Sequence, residues 1–152
     1  MLFCASAGND NNGHDNKWPA CHEPVLAVGA HQADGHKADF SNFQDYVRLS
    51  APGVEIRTTD MVGYTSNGHY KGHADPIEHP WEHVYANGTS YSSPIVAAIA
   101  CIVLDTEPSF TPAQLKQRLI DSSQPLPYPM EWANCGEIGR VDAYSAITWG
   151  AQ

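Results

Sequence analysis

A chain of 152 residues that is 42% hydrophobic has the size and apolar content of one globular domain with a buried core, and its composition shows no sign of disorder. Seventeen acidic residues against eight basic ones give a formal net charge of -9, which argues against a nucleic-acid or anionic-membrane partner and leaves room for a cationic ligand or metal ion. Met1-Leu2-Phe3-Cys4-Ala5-Ser6 lacks the basic start and long apolar run of a signal peptide, and the apolar run Ile95–Leu104 is too short to span a bilayer, so the chain reads as soluble and untargeted. Cys4, Cys21, Cys101 and Cys135 are widely spaced with no C-x-x-C pair, which gives no support to a zinc or dithiol-redox role. Cys4 and Cys101 fall in apolar runs and are expected as buried thiols; disulfide pairing stays open.

The first predicted element is a strand. Leu2-Phe3-Cys4-Ala5-Ser6-Ala7 is a short apolar run that breaks at Gly8-Asn9-Asp10-Asn11-Asn12-Gly13, the pattern of a buried strand leaving a sheet into a loop. A core strand at the extreme end of a chain has nothing to tie it down, so Met1 reads as an internal start or a cut edge. Val25-Leu26-Ala27-Val28-Gly29-Ala30 is a second continuous apolar run and predicts a strand buried on both faces, hence a parallel sheet covered by helices. Phe40 to Phe43 and Tyr46 to Ser50 read as short strand or turn pieces ending at Ala51-Pro52-Gly53-Val54-Glu55-Ile56.

From Asp60 to Tyr85 the chain is polar and carries Gly63, Gly68, Gly72, Pro76 and Pro80, which rule out a regular helix and predict a long loop. The same stretch concentrates His69, His73, His79 and His83 with Asp75, Glu78 and Glu82. Its two H-x-x-x-H spacings would stack imidazoles on one helix face, but the glycines and prolines remove that helix. The stretch reads as a solvated insertion, metal binding is the competing reading, and no metal site is assigned.

Ile95 to Leu104 is apolar all round, which predicts a central, buried helix, and Ala97, Ala98 and Ala100 allow close approach to a sheet. Thr111-Pro112-Ala113-Gln114 starts a second helix with an N-cap, proline at the first helical position and a capping box; Leu115 and Leu119 form its buried stripe. Gly139 to Ile147 closes the chain as a short turn and helix.

Asn87-Gly88-Thr89-Ser90-Tyr91-Ser92-Ser93-Pro94 leads into the apolar helix and carries two competing readings. One is an ordinary capping turn in which Thr89 or Ser90 satisfies the helix start through a side-chain oxygen. The other is a nucleophile in the first helical turn, where backbone N–H groups and the positive dipole end face any developing oxyanion. Gly88 lets the backbone bend and a substrate chain come close in either case.

Several segments, in one order, resemble the subtilisin-like serine proteases. Gly88-Thr89-Ser90-Tyr91-Ser92-Ser93-Pro94 fits that family's G-T-S-x-x-[SA]-P nucleophile motif, and Ser6-Ala7-Gly8-Asn9-Asp10 resembles its segment ending in A-G-N. Val25–Ala30, Phe40-Ser41-Asn42-Phe43, Ala51-Pro52-Gly53-Val54 and Gly139-Arg140-Val141-Asp142-Ala143 are similar to its V-x-A-V-G-A, F-S-N, A-P-G-V and G-x-[VL]-[ND]-A blocks. The resemblance implies an α/β fold, a three-layer sandwich with a mostly parallel sheet, of which residues 1–152 supply the C-terminal half with the polar insertion at about 60–85. It implies a serine endopeptidase acting on polypeptides through an acyl-enzyme: Ser90 as nucleophile, Asn9 as oxyanion donor beside the Ser90 N–H, and Ser6, Ala7 and Gly8 as one wall of the substrate pocket. Asn9 read without the family is a turn residue in an Asn/Gly-rich loop.

The family's aspartate and histidine, in D-[ST]-G and H-G-T motifs, are absent from the sequence, and none of the eight histidines precedes Gly-Thr. The expectation is that they come from upstream or from a second chain, that this chain alone is inactive, and that without upstream strands its apolar helix is left partly uncovered. His14 and His22 lie nearest the Asn9 loop as candidates for an improvised base. The competing reading is a catalytically inactive, protease-like remnant that binds peptides. The chemistry needs no cofactor. The family also implies structural calcium, for which Asp10, Asp15 and Asp34 are ligands of the right type without a recognisable calcium-loop spacing, and an extracellular or secretory setting for the full-length protein.

Overall fold

The computed structural model describes residues 1–59 and 83–149. Its centre is the strand expected at the second apolar run: β2, Leu26–His31, is buried at every position. On one side it pairs in parallel with β1, Cys4–Ser6, and on the other with β3, Val47–Pro52. Ala27 pairs with Val47 but Val28 pairs with Leu49, so Arg48 is an extra residue that shifts the register and turns Val47 and Leu49 to opposite faces. β3 continues in parallel to β7, Gly139–Arg140, which pairs antiparallel with β6, Gln124–Pro125. Among the described residues the sheet order is β1-β2-β3-β7-β6. Parallel neighbours with a buried central strand are what continuous apolar runs predict, because both faces must be covered.

One face carries the helices. α1, Thr89–Thr106, α2, Pro112–Asp121, and α3, Ala143–Thr148, bring Val96, Ile99, Ala100, Val103, Leu115, Leu119 and Ala146 onto Leu26, Val28, Leu49 and Ala51. The opposite face is covered by loops and a 3-10 turn at Pro129–Trp132, where Trp132 and Cys135 close over Ala27 and Val47. Gly29 is required there: a Cβ on it would stand 2.7 Å from the Trp132 ring. The result is a helix layer, a mostly parallel sheet and a thinner loop layer.

Helix α2 forms as its sequence predicts. Thr111 Oγ1 accepts the Gln114 N–H at 3.3 Å, Gln114 Oε1 accepts the Thr111 N–H at 2.9 Å, and Leu115 and Leu119 are buried. α3 is likewise capped, by Asp142 Oδ1 accepting the Ser145 N–H at 2.8 Å.

Helix α1 departs from expectation in three ways. It begins at Thr89, six residues ahead of the apolar run, and reaches the length of a membrane-crossing helix, yet its inner face is a packing face on the sheet. It is not buried all round: Val96, Ile99, Ala100 and Val103 face inward while Ala98, Cys101 and Ile102 are exposed. A ring of apolar residues carries no period that selects a face, and among the described residues one sheet covers one side. Cys101 is therefore an exposed thiol, not the buried one expected; Cys4 is half-buried, and burial beside Cys101 pushes its thiol up to about 11.

The segment Phe40–Phe43 forms no strand, but Ser41 and Asn42 are fully buried in it. The expected loop from Asp60 to Tyr85 ends early, because His83–Ala86 is strand β5, antiparallel to β4, Ile56–Thr59. His69, His73 and His79, with the metal reading they carry, lie outside the described residues.

Candidate active site

Ser90 is the second residue of α1 and is exposed. The N-cap is Gly88, which has no side chain to offer, so neither Thr89 nor Ser90 caps the helix as expected. The cap comes from a loop eighty residues away in the sequence: Asn9 Oδ1 accepts the Thr89 N–H at 2.9 Å and the Thr89 hydroxyl at 2.8 Å, and Thr89 Oγ1 in turn accepts the Gly8 N–H at 3.2 Å. A backbone N–H only donates, so the amide oxygen is the atom turned to Thr89, and Asn9 Nδ2 keeps its protons for another acceptor.

The position of that donor is set against a second one. The point where a Cβ on residue 88 would stand lies 3.5 Å from Asn9 Nδ2 and 3.7 Å from the Ser90 nitrogen. Ser90 N–H belongs to the first turn of α1, whose amides have no helical acceptor. Two N–H donors, one from a loop after β1 and one from the start of α1, together with the Tyr91 ring edge at 3.6 Å, thus surround the point that a side chain on residue 88 would take. Gly88 is held there at φ 153°. The positive end of the α1 dipole favours negative charge beside those two donors.

Bonds to the end of β3 brace the turn. Gly88 N–H donates to the Gly53 carbonyl at 2.8 Å and Gly53 N–H to the His31 carbonyl at 3.1 Å. The buried Ser92 hydroxyl lies 3.1 Å from the carbonyls of both Ala51 and Pro52. A Cβ on Gly53 would come within 2.5 Å of Ser92 Oγ and of Ala30, so the chain must have glycine where the turn rests on the sheet. Asn87 Oδ1 accepts the Glu55 N–H at 2.7 Å. Sequence reasoning missed Thr89 as the holder of Asn9, and Ser92 and Gly53 as the anchor; the signals were the small polar residues flanking Ser90 and the Ala51-Pro52-Gly53 block.

Ser6, Ala7 and Gly8 run from the end of β1 into the Asn9 loop, so the structure brings them beside the start of α1. Ala7 extends the β1 pairing through its N–H to the Val28 carbonyl at 2.9 Å, and Gly8 turns the chain at φ 106°. Among the described residues, His14 and His22 do not join this group. His22 stacks on Trp18 with ring centroids 5.2 Å apart, and among the described residues neither His14 nor His22 is hydrogen-bonded to Ser90. His31 Nδ1 lies 3.0 Å from Ser50 Oγ inside the sheet, where burial and the nearby Arg140 charge push its pKa down to about 4.

The three aspartates of the right type for calcium make other contacts. Asp10 pairs with Lys17 at 2.9 Å, which lowers its pKa; Asp15 accepts the Asn12 amide at 2.6 Å; Asp34 accepts the His36 N–H at 3.1 Å. Among the described residues no three His, Cys, Asp or Glu side chains converge.

Residues 1–137 match the model of the subtilase family. The chain is 31% identical over 134 residues to a thermostable alkaline protease of Halalkalibacterium halodurans, covering 88% of this chain and 32% of that protein. It is 33% identical over 144 residues to an extracellular protease of Xanthomonas campestris pv. campestris, covering 94% of this chain and 23% of that protein. Among solved structures it is similar to a protease from Pseudoalteromonas arctica, at TM-score 0.69 and 25% identity over 94% of this chain and 41% of the other. The chain thus spans about a third or less of these two curated relatives and under half of that structure. The match runs through both the Asn9 loop and the Ser90 turn, and the chain belongs to the subtilase family.

Proposed function

We propose that this chain supplies the nucleophile and the oxyanion site of a serine endopeptidase. The observation that carries the reading is the shared space over Gly88, bordered by Asn9 Nδ2 and the Ser90 nitrogen. Ser90 Oγ attacks the scissile carbonyl while its proton passes to a histidine; the new C–O bond leaves a tetrahedral oxyanion on the carbonyl oxygen, which the two donors hold. Collapse expels the amine with that proton and leaves an acyl-enzyme, which water hydrolyses. Ser6, Ala7 and Gly8 form one wall for the substrate side chain preceding the cut.

The histidine and its orienting aspartate come from residues outside this sequence, in a longer protein or a second chain; a match to a third or less of the length of these two relatives supports that reading. The relatives named as extracellular support action outside the cell. The test is fluorophosphonate labelling of the chain alone and co-expressed with a subtilase segment bearing the aspartate and histidine motifs. Labelling in the combined form that disappears in Ser90→Ala is expected. No labelling in either form would instead favour the peptide-binding remnant, a reading supported by the absence of a histidine bonded to Ser90 among the described residues.

A further inference from the structure

We propose that Asn42 is the positioning residue of the oxyanion site: it fixes the backbone on both sides of Asn9 and so sets where the Asn9 amide stands. The inference deepens the proposed function and rests on it for its catalytic consequence. Asn42 is fully buried in a segment with no regular secondary structure, where a polar side chain is costly unless every group is satisfied. It is satisfied entirely by the loop that carries Asn9. Asn42 Oδ1 accepts the N–H of Asp10 at 2.9 Å and of Asn12 at 3.0 Å; Nδ2 donates to the Ala7 carbonyl at 3.0 Å and to Asp10 Oδ2 at 3.4 Å; its backbone N–H donates to the Gly8 carbonyl at 3.0 Å.

Every partner agrees on the orientation of the amide, since the two loop N–H groups only donate and the Ala7 carbonyl only accepts. No other side chain of similar size does this. Aspartate loses both donors and sets a second carboxylate against Asp10; serine and alanine reach too few of the partners. Gly8 completes the fit, because a Cβ there would lie 2.3 Å from Asn42 Nδ2, so the loop closes directly on the amide. Asn9 is held from two sides: Thr89 takes its side-chain oxygen, and Asn42 takes the peptide groups before and after it. A donor that acts only in the transition state must be placed to within a fraction of an ångström, and that is the tolerance Asn42 enforces.

Two measurements test this on Asn42→Ala and Asn42→Ser, which withdraw the amide oxygen that accepts the two loop N–H groups. The first, amide hydrogen exchange on the full chain, is independent of activity: the Asp10 and Asn12 amides are expected to exchange at least tenfold faster while the α2 amides are unchanged. Unaltered exchange at both positions overturns the proposal. The second is kcat per fluorophosphonate-titrated serine in the combined, labelling-competent form, expected to fall at least tenfold. A variant that lowers only the melting temperature and keeps its kcat per titrated serine makes Asn42 a packing residue and overturns the positioning role. If the parent itself never labels, the protease reading fails by that result, and the exchange data alone decide whether Asn42 sets the loop.

Discussion

Gly88 does by absence what the residues around it do by contact. Its missing Cβ keeps open the space between Asn9 Nδ2 and the Ser90 nitrogen, and neighbours at 3.5 Å and 3.7 Å are ordinary van der Waals distances, so a methyl group would fit there without a clash. Gly88→Ala is therefore expected to leave the protein folded and crowd the proposed oxyanion donors. Its φ of 153° adds strain of about 1–3 kcal/mol for a residue with a side chain. In the combined form kcat is expected to fall by about 100-fold or more, the scale of losing one oxyanion donor in subtilisin, the protein from which that magnitude comes. A urea midpoint that shifts modestly with a kcat that collapses supports the geometry; a Gly88→Ala enzyme with nearly full kcat refutes it. Fluorophosphonate labelling distinguishes this from loss of the nucleophile, since Ser90 itself is intact.

At the level of elements, legibility followed the range of the forces involved. β2 was readable because a strand buried on both faces must be apolar throughout, and α2 because Thr111, Pro112 and Gln114 are neighbours in sequence as well as in space. The start of α1 was not readable in the same way: its cap is Asn9, eighty residues distant, and no local pattern encodes such a partner. Nor was the exposure of Cys101 and Ile102, because the face a uniformly apolar helix buries is chosen by the sheet beneath it. β5 was missed because its partner β4 lies on the far side of the polar stretch. The resemblance of their motifs pointed to Ser90 and Asn9, which the structure brings together at the start of α1; Thr89, Ser92, Gly53 and Asn42 needed coordinates. α2 allows the local and the packed contributions to be separated. Leu119→Ala, at a fully buried position, is expected to cost about 2–5 kcal/mol, and Thr111→Ala, which removes one exposed cap, about 1 kcal/mol. Urea unfolding at constant m measures both, and a cap loss equal to the core loss would contradict the packing described for this helix.

For the molecule as a whole, one buried side chain among the described residues ties stability to mild acid. His31 ends the central strand, 8% exposed, with its ring against Ser50 and the charge of Arg140 nearby. Burial first, and Arg140 second, push its pKa down to about 4 from the 6.5 of an unfolded histidine. The folded protein therefore holds a neutral ring that the unfolded chain protonates more readily. Its contribution is fully present above pH 6.5, declines as pH falls through that value, and is exhausted near pH 4. Across that window the loss amounts to about 3 kcal/mol, a large share of the margin of a domain this size. Asp10 and Glu131, whose carboxyls are lowered by Lys17 and by His36, lose their contributions as pH falls through and below the ordinary carboxylate range, so the difference between parent and variant from pH 6.5 to 5 reads His31. His31→Gln keeps a polar group for Ser50 and removes the titration. Its urea midpoint is expected to be nearly level over that interval while that of the parent falls steadily, and parallel profiles for the two would mean that the ring takes up its proton without unfolding the sheet.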